Sequence, residues 1–182
     1  MLHADQDTLL AGLATVADSP TDCGPLRLIV ARPAPYERRV LDQAELDLQE
    51  GLVGDAWRVR GSRRTPDGTA HPGMQVTLMN ARAAALIAGP VERWPLAGDQ
   101  LYVDLHLGPD TLPAGTQLEL GNAVLEVTDE PHTGCAKFAQ RFGREAARLV
   151  NTPEGLALRL RGINTRVVQA GHVTVGDLVR RA

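Results

Sequence analysis

The stretch Pro131-His132-Thr133-Gly134-Cys135-Ala136-Lys137 holds the residue types best suited to chemistry. It lies between a strand signal, Ala123 to Thr128, and a helical pattern, Lys137 to Val150. Such a junction carries side chains to a ligand from a rigid frame. Cys135 falls at or near the helix N-terminus, where free N–H groups and the positive end of the helix dipole stabilise a thiolate. Lys137, the only lysine beside 18 arginines, adds a positive charge. A thiolate there can serve as a nucleophile, a persulfide carrier or a soft metal ligand. The same position also suits a structural cysteine. At ~100° per residue Cys135 falls on the side of Phe138, Phe142 and Leu149, and free cysteine is among the most buried residue types. His132 alone suits a loop or capping histidine. A zinc site would need two further ligands from His3, His71, His106, His172 or carboxylates. The two cysteines, Cys23 and Cys135, cannot build a disulfide framework or a four-cysteine metal site.

Two basic groups could meet an anion. Lys137, Arg141, Arg144 and Arg148 recur at spacings that stack them on one stripe of a helix. Arg58, Arg60, Arg63 and Arg64 follow the glycine-containing turn Gly51-Leu52-Val53-Gly54-Asp55-Ala56-Trp57. A solvated surface explains most of these eight. The functional alternative is a clamp for an anionic ligand such as a phosphate, with the loop cluster the better candidate. The turn lacks the Walker A and dinucleotide-binding patterns.

The elements that must position these residues are short. Asp5 to Val16 reads as a helix capped by Asp5 or Asp7. Leu26 to Val30 reads as a strand, and Val40 to Leu48 alternates in part, with Leu46 and Leu48 on one side. Residues 54–74 read as a long loop. Met74 to Met79 reads as a strand, and Asn80 caps an alanine-rich helix ending near Gly89-Pro90. Leu101 to Leu107 alternates with its odd positions apolar. Gly121-Asn122 between two alternating runs is a hairpin signal. Arg166 to Gln169 and Val173 to Val179 read as closing strands around Gly176-Asp177. Many short strands without regular helical crossovers argue for a barrel or compact mixed sheet with helices outside. We expect a helix and connector over 1–25 and one domain over 26–182.

Composition removes several classes. With 182 residues and 43% hydrophobic types, the chain can bury a core. A net charge of -3 argues against a nucleic-acid grip driven by bulk electrostatics. No apolar run approaches the ~18 residues of a membrane span. The opening MLHADQDTLL has no basic start and no long apolar stretch, so a secretory signal is not expected and a cytoplasmic location is.

Taken in order, Gly51-Leu-Val-Gly-Asp-Ala-Trp57, Gln75-Val-Thr-Leu-Met-Asn80, Ala97-Gly-Asp-Gln-Leu101, Gly121-Asn-Ala-Val-Leu-Glu-Val127 and Pro131-His-Thr-Gly-Cys135 resemble a MOSC domain. That domain closes molybdenum cofactor sulfurases and occurs in small stand-alone bacterial proteins. The resemblance runs from about Leu26 to the C-terminus. It implies a mixed, β-rich fold, a barrel similar to that of pyruvate kinase with peripheral helices. It also implies a molybdenum cofactor of the molybdopterin type, with Cys135 as the catalytic cysteine and metal ligand. His132, Thr133 and Gly134 would shape the adjoining loop, and Lys137 would hold anionic groups. Asp55, Trp57, Gln75 and Asn80 would line the pocket, with Arg58 as a phosphate contact. Pyridoxal phosphate is not expected, because that chemistry belongs to the sulfurase's separate N-terminal domain. The implied activity is reduction of an N-hydroxylated compound, with electrons from a separate redox partner, since no dinucleotide, haem or iron–sulfur motif is present. The alternatives are a persulfide carrier through Cys135, a thiol hydrolase using Cys135 and His132, and an inactive barrel that binds a partner. Three positions depart from the family pattern. Gly98-Asp99-Gln100 stands where many members have Gly-Glu-Asn, and Trp57 where many have histidine.

Overall fold

Strands of alternating burial close on themselves here, and helices cover the outside. The computed structural model describes residues 3–182; residues 1–2, at the start of the stretch read for a signal, lie outside it. Eleven strands occur among the described residues: β1 Cys23–Ala31, β2 Arg39–Leu41, β3 Gln43–Asp47, β4 Gly51–Leu52, β5 Val76–Asn80, β6 Leu101–Val103, β7 Gln117–Leu120, β8 Ala123–Val127, β9 Ile163–Gln169, β10 Gly171–Thr174 and β11 Leu178–Arg181. The order β11-β7-β8-β9-β5-β6-β1 closes through a β11–β1 pairing, so seven strands form a barrel and β2 extends β1. A second, three-stranded sheet has the order β10-β3-β4.

The barrel interior is a layer of leucines, valines and isoleucines, including Leu26, Ile29, Leu78, Leu101, Leu118, Leu125 and Val179, almost wholly removed from water. A second apolar layer lies between the barrel wall and the helices and includes Leu9, Val16, Met79, Ile87, Tyr102, Phe138, Phe142 and Leu149. The helices are α1 Gln6–Ala11, α2 Leu13–Ala17, α3 Trp57–Arg60, α4 Ala81–Ala88, α5 Ala136–Leu149 and α6 Pro153–Ala157. None is long and apolar enough to cross a membrane.

Local signals translate directly. Asp5 accepts a hydrogen bond from Thr8 N–H at 2.8 Å and starts α1. Asn80 accepts from Arg82 N–H and Ala83 N–H at 2.7 and 3.0 Å and starts α4. Gly121-Asn122 joins β7 to β8, with Leu120 opposite Ala123.

Several expectations are corrected. The first helix divides at Gly12 into α1 and α2. The loop over 54–74 contains α3 and a 3-10 turn over Pro72–Met74. Leu46 is buried but Leu48 is 55% exposed, because β3 stops at Asp47. The Asp47 carboxylate turns the chain by accepting from Gln49 and Glu50 N–H at 2.8 and 2.9 Å. Tyr102, at an even position of the Leu101 to Leu107 alternation, is buried as well, since α4 and a 3-10 segment, Val91–Ala97, cover that side of the barrel. Its hydroxyl donates to Trp94 O at 2.6 Å. One helical crossover is also present: β5 and β6 are parallel, joined through α4 and the 3-10 segment. Finally, α5 is broken at Gly143, whose φ of 91° lies in the left-handed region. The basic stripe therefore divides between two helical pieces.

Candidate active site: an arginine-lined cavity beside Cys135

The 3-10 segment Val91–Ala97 ends on Gly98, whose φ is 94°. A helix end leaves its last carbonyl groups without intrahelical partners and concentrates partial negative charge there. Four successive carbonyls at this end each take an arginine. Pro95 O accepts from Arg38 Nε at 3.1 Å, Leu96 O from Arg141 Nη1 at 2.7 Å, Ala97 O from Arg161 Nη2 at 2.9 Å and Gly98 O from Arg32 Nη1 at 2.7 Å. The four side chains come from segments far apart in sequence and are brought together by one turn of backbone.

Two of the four are neutralised. Asp55, wholly buried, accepts from Arg32 Nε and N–H at 2.8 Å and from Arg32 Nη2 at 3.0 Å. Its Oδ1 also accepts from Trp57 N–H at 2.9 Å, which sets the start of α3. Asp99, also wholly buried, accepts from Arg161 Nη1 at 2.5 Å. Arg38 and Arg141 have no carboxylate partner among the described residues. Burial and the nearby Arg141 and Arg32 charges lower the Arg38 pKa.

These arginines line a cavity of about 560 Å³. Ligand sites usually fall in the range of roughly 300–1,000 Å³. Arg60 and Lys137 are on the same wall, as are Trp57, Phe138, His132 and Cys135. Neither Arg60 nor Lys137 has a carboxylate partner among the described residues.

Cys135 is exposed and caps α5, with its carbonyl accepting from Phe138 and Ala139 N–H at 2.9 and 3.1 Å. Its backbone is extended (φ -119°, ψ 172°), so it leaves the helical periodicity that would have put it beside the buried Phe138 and Phe142. Gly134 allows this turn to approach α5: a Cβ there would come 2.7 Å from Val150 Cγ2.

His132 is 13% exposed, with Nδ1 3.5 Å from Asp99 Oδ1. Burial and the Arg161 charge push its pKa down to about 3, against the opposing pull of Asp99. The ring is therefore neutral at pH 7. Four buried polar atoms have no hydrogen-bond partner at this locus: His132 Nδ1, Arg161 Nε, Asn164 Oδ1 and Asp99 Oδ1. Buried polar atoms are normally paired, so their clustering marks a place prepared for a polar ligand or water.

The structure thus brings together Cys135, His132, Lys137 and Trp57, with Asp55 directly behind the wall. Thr133 lines a smaller adjacent cavity of about 240 Å³ that shares His132, Arg161 and Asn164 with the first. Gln75, Asn80 and Arg58 do not line either cavity. Gln75 spends its side chain on Val167 N–H and Leu48 O, at 2.7 and 2.8 Å. Asn80, besides capping α4, donates to Leu105 O at 2.7 Å. Arg58 points to Glu50. In the loop cluster only Arg60 reaches the cavity, and in the helical stripe only Lys137 and Arg141 do. Arg32, Arg38, Asp99, Arg161 and Asn164 carry no local signal; the turn at Gly98-Asp99 was their one visible trace.

Gly98 gives a direct test. A Cβ there would sit 3.9 Å from Arg38 Nη2 and 4.0 Å from Arg141 Nη1, so space is sufficient, but the backbone is left-handed. Gly98→Ala is expected to cost about 1–2 kcal/mol of stability through that conformation, read as a lower urea midpoint.

A family model described as the MOSC domain matches residues 96–180. No curated protein matches the chain. Among solved structures, the YuaD protein from Bacillus subtilis is 20% identical with a TM-score of 0.60, covering 86% of this chain and 94% of that one. YiiM from Escherichia coli is 17% identical with a TM-score of 0.56, covering 87% and 69%. YiiM from Geobacillus stearothermophilus is 15% identical with a TM-score of 0.58, covering 87% and 75%. These likenesses show the shared fold. The matched segment begins at the carbonyl turn that gathers the arginines and contains Asp99, His132, Cys135 and Arg161, so this part of the chain is similar to a MOSC domain.

Proposed function

We propose that the protein binds a phosphorylated, pterin-type molybdenum cofactor in this cavity, with the Cys135 sulfur as its own ligand to the metal. The observation that carries this reading is an exposed thiol on the wall of a cavity where cations outnumber carboxylates. Arg32 and Arg161 are matched by Asp55 and Asp99, while Arg38, Arg60, Lys137 and Arg141 are unmatched among the described residues. A phosphate ester supplies about two negative charges and several acceptor oxygens. The unpaired atoms of His132, Arg161 and Asn164 offer donors and an acceptor to the edge of a heterocycle. No group of three or more His, Cys, Asp or Glu that could hold a metal ion occurs among the described residues. The protein would therefore give one soft ligand, and the cofactor the others.

When bound, that group supplies two-electron redox chemistry that no side chain here has. The residues do the rest. Arg38, Arg60 and Arg141 hold the anionic end, and the exposed Lys137 adds a positive charge on the same wall. Trp57 and Phe138 give the wall an apolar face. His132 stays neutral and serves as a hydrogen-bonding wall rather than a further cation. The reaction that fits is reduction of an N-hydroxylated base or amidoxime. Two electrons and two protons convert N–OH to N–H and release water, with electrons from a separate redox protein.

Elemental analysis of protein made in a cofactor-competent host tests this. Wild type should carry molybdenum, and Cys135→Ser should lose at least about tenfold of it. That factor corresponds to roughly 1.4 kcal/mol of binding. Equal content in both would sink the reading.

The exposure of Cys135 also favours a second reading, a carrier that accepts sulfane sulfur from a desulfurase persulfide and returns the donor thiol. Intact mass after incubation with desulfurase and cysteine should then show one sulfur adduct, absent in Cys135→Ser.

A further inference from the structure

The rim of the cavity holds a feature that cofactor binding does not use. Tyr36 is 79% exposed and lines the cavity, and its backbone φ is 67°. Only one other non-glycine residue among the described residues has such a backbone, Arg159, and it donates to Leu107 O and Leu112 O at 3.2 and 2.7 Å. Tyr36 makes no side-chain hydrogen bond among the described residues. A strained, exposed aromatic residue whose hydroxyl has no hydrogen-bond partner among the described residues points to function.

The turn that presents it is stiff. Pro33 and Pro35 fix two φ angles, and Glu37 N–H donates to Ala34 O at 3.1 Å. The Lys137 ammonium lies 5.4 Å from the centre of the ring. Val59, 85% exposed, lines the same cavity and adds an apolar surface at the mouth.

The charge count leads to the same place. A single phosphate ester balances about two of the four unmatched cations. The remainder calls for a second anionic group. Exposed tyrosine rings accept planar bases by stacking, with little regard to which base.

We propose that the mouth takes a nucleoside 5′-monophosphate, its base stacked on Tyr36 and its phosphate paired with Lys137, which leaves the ring face to meet it. This rests on the reductase reading and narrows its substrate to an N-hydroxylated base carried as a nucleotide, rather than a free base or an uncharged amidoxime. Lys137 meets the phosphate, and the deeper arginines remain with the cofactor.

Calorimetry with AMP, adenosine and inorganic phosphate tests it, on both cofactor-loaded and cofactor-free protein. AMP should bind at least about tenfold tighter than adenosine or phosphate in both forms. Tyr36→Ala should weaken AMP about tenfold, as loss of one stacked base predicts, with phosphate binding and molybdenum content unchanged. Lys137→Gln should reduce AMP to the level of adenosine. Equal binding of adenosine and AMP would overturn the proposal, as would an unchanged AMP affinity in Tyr36→Ala. Binding of AMP only to the cofactor-free form would also overturn it, by placing AMP in the cofactor's own site. Loss of the molybdenum reading through the Cys135→Ser comparison would leave these binding results to stand or fall alone. Activity closes the case: N6-hydroxy-AMP should be reduced with a higher kcat/KM than N6-hydroxyadenine, and the reverse order would refute the nucleotide.

Discussion

Asp99→Ala is expected to destabilise the folded protein by about 3–5 kcal/mol, because breaking a buried ion pair strands the remaining charge. Asp99 is wholly buried and Arg161 is 8% exposed, with 2.5 Å between Oδ2 and Nη1. After the substitution Arg161 would keep Ala97 O and the face of Phe138, 5.1 Å from the ring centre, but no anion. Those contacts cannot replace the lost charge, and water has little access. Denaturation followed by the fluorescence of Trp57 and Trp94 should show the loss as a lower midpoint with an unchanged slope. Two companions separate charge from packing. Asp99→Asn keeps an acceptor and should lose less. Asp99→Ala with Arg161→Met removes both charges and should recover part of the loss. A single variant as stable as wild type would mean that Arg161 finds solvent, and the cavity wall would have to be redrawn.

The limits of sequence reasoning follow from where each cause lies. Asn80 as a cap, Gly121-Asn122 as a hairpin and Cys135 at the start of α5 are local effects, each fixed by a few neighbouring residues. They were legible, as was a barrel or compact mixed sheet with helices outside, and the resemblance pointed to the barrel. Closure by β11 on β1 was only hinted at, since pairing partners over 150 residues apart leave no local mark. The gathering of the arginines was not legible beyond the turn at Gly98-Asp99. Arg32, Arg38, Arg141 and Arg161 share no spacing and meet only because four carbonyls at one helix end need donors. Periodicity also misled where glycine intervenes. The stripe from Lys137 to Arg148 reads as continuous at helical spacing, yet Gly143 breaks α5, and Arg148 instead pairs with Glu145 at 3.1 Å. Gln75 and Asn80 were site residues only by the resemblance, and buried amides are first claimed by backbone groups that would otherwise be unpaired.

Acid should destabilise the cofactor-free protein through His132. An unfolded chain protonates this histidine as pH falls through about 6.5, whereas the folded chain does so only at about 3. Between those values the unfolded state holds one more proton. Stability is therefore complete above about 6.5 and declines as pH falls toward 3, at ~1.4 kcal/mol per pH unit for one proton. From pH 7 to pH 4 this amounts to on the order of 3 kcal/mol. Burial is the main reason the proton is refused; among the charged groups Arg161, Arg32 and Arg64 repel it, and Asp99 alone favours it. His132→Gln should remove this component. Subtracting the variant's urea-derived stability from that of wild type at each pH cancels the carboxylates common to both and leaves the histidine contribution. A difference that stays flat from pH 7 to pH 4 would show that the ring is protonated in the folded protein. A flat result would also change the chemistry of the site. A charged imidazole would add a seventh cation beside Cys135 and draw Asp99 away from Arg161. A neutral one leaves that ion pair whole and keeps both ring nitrogens free to donate to or accept from whatever enters the cavity.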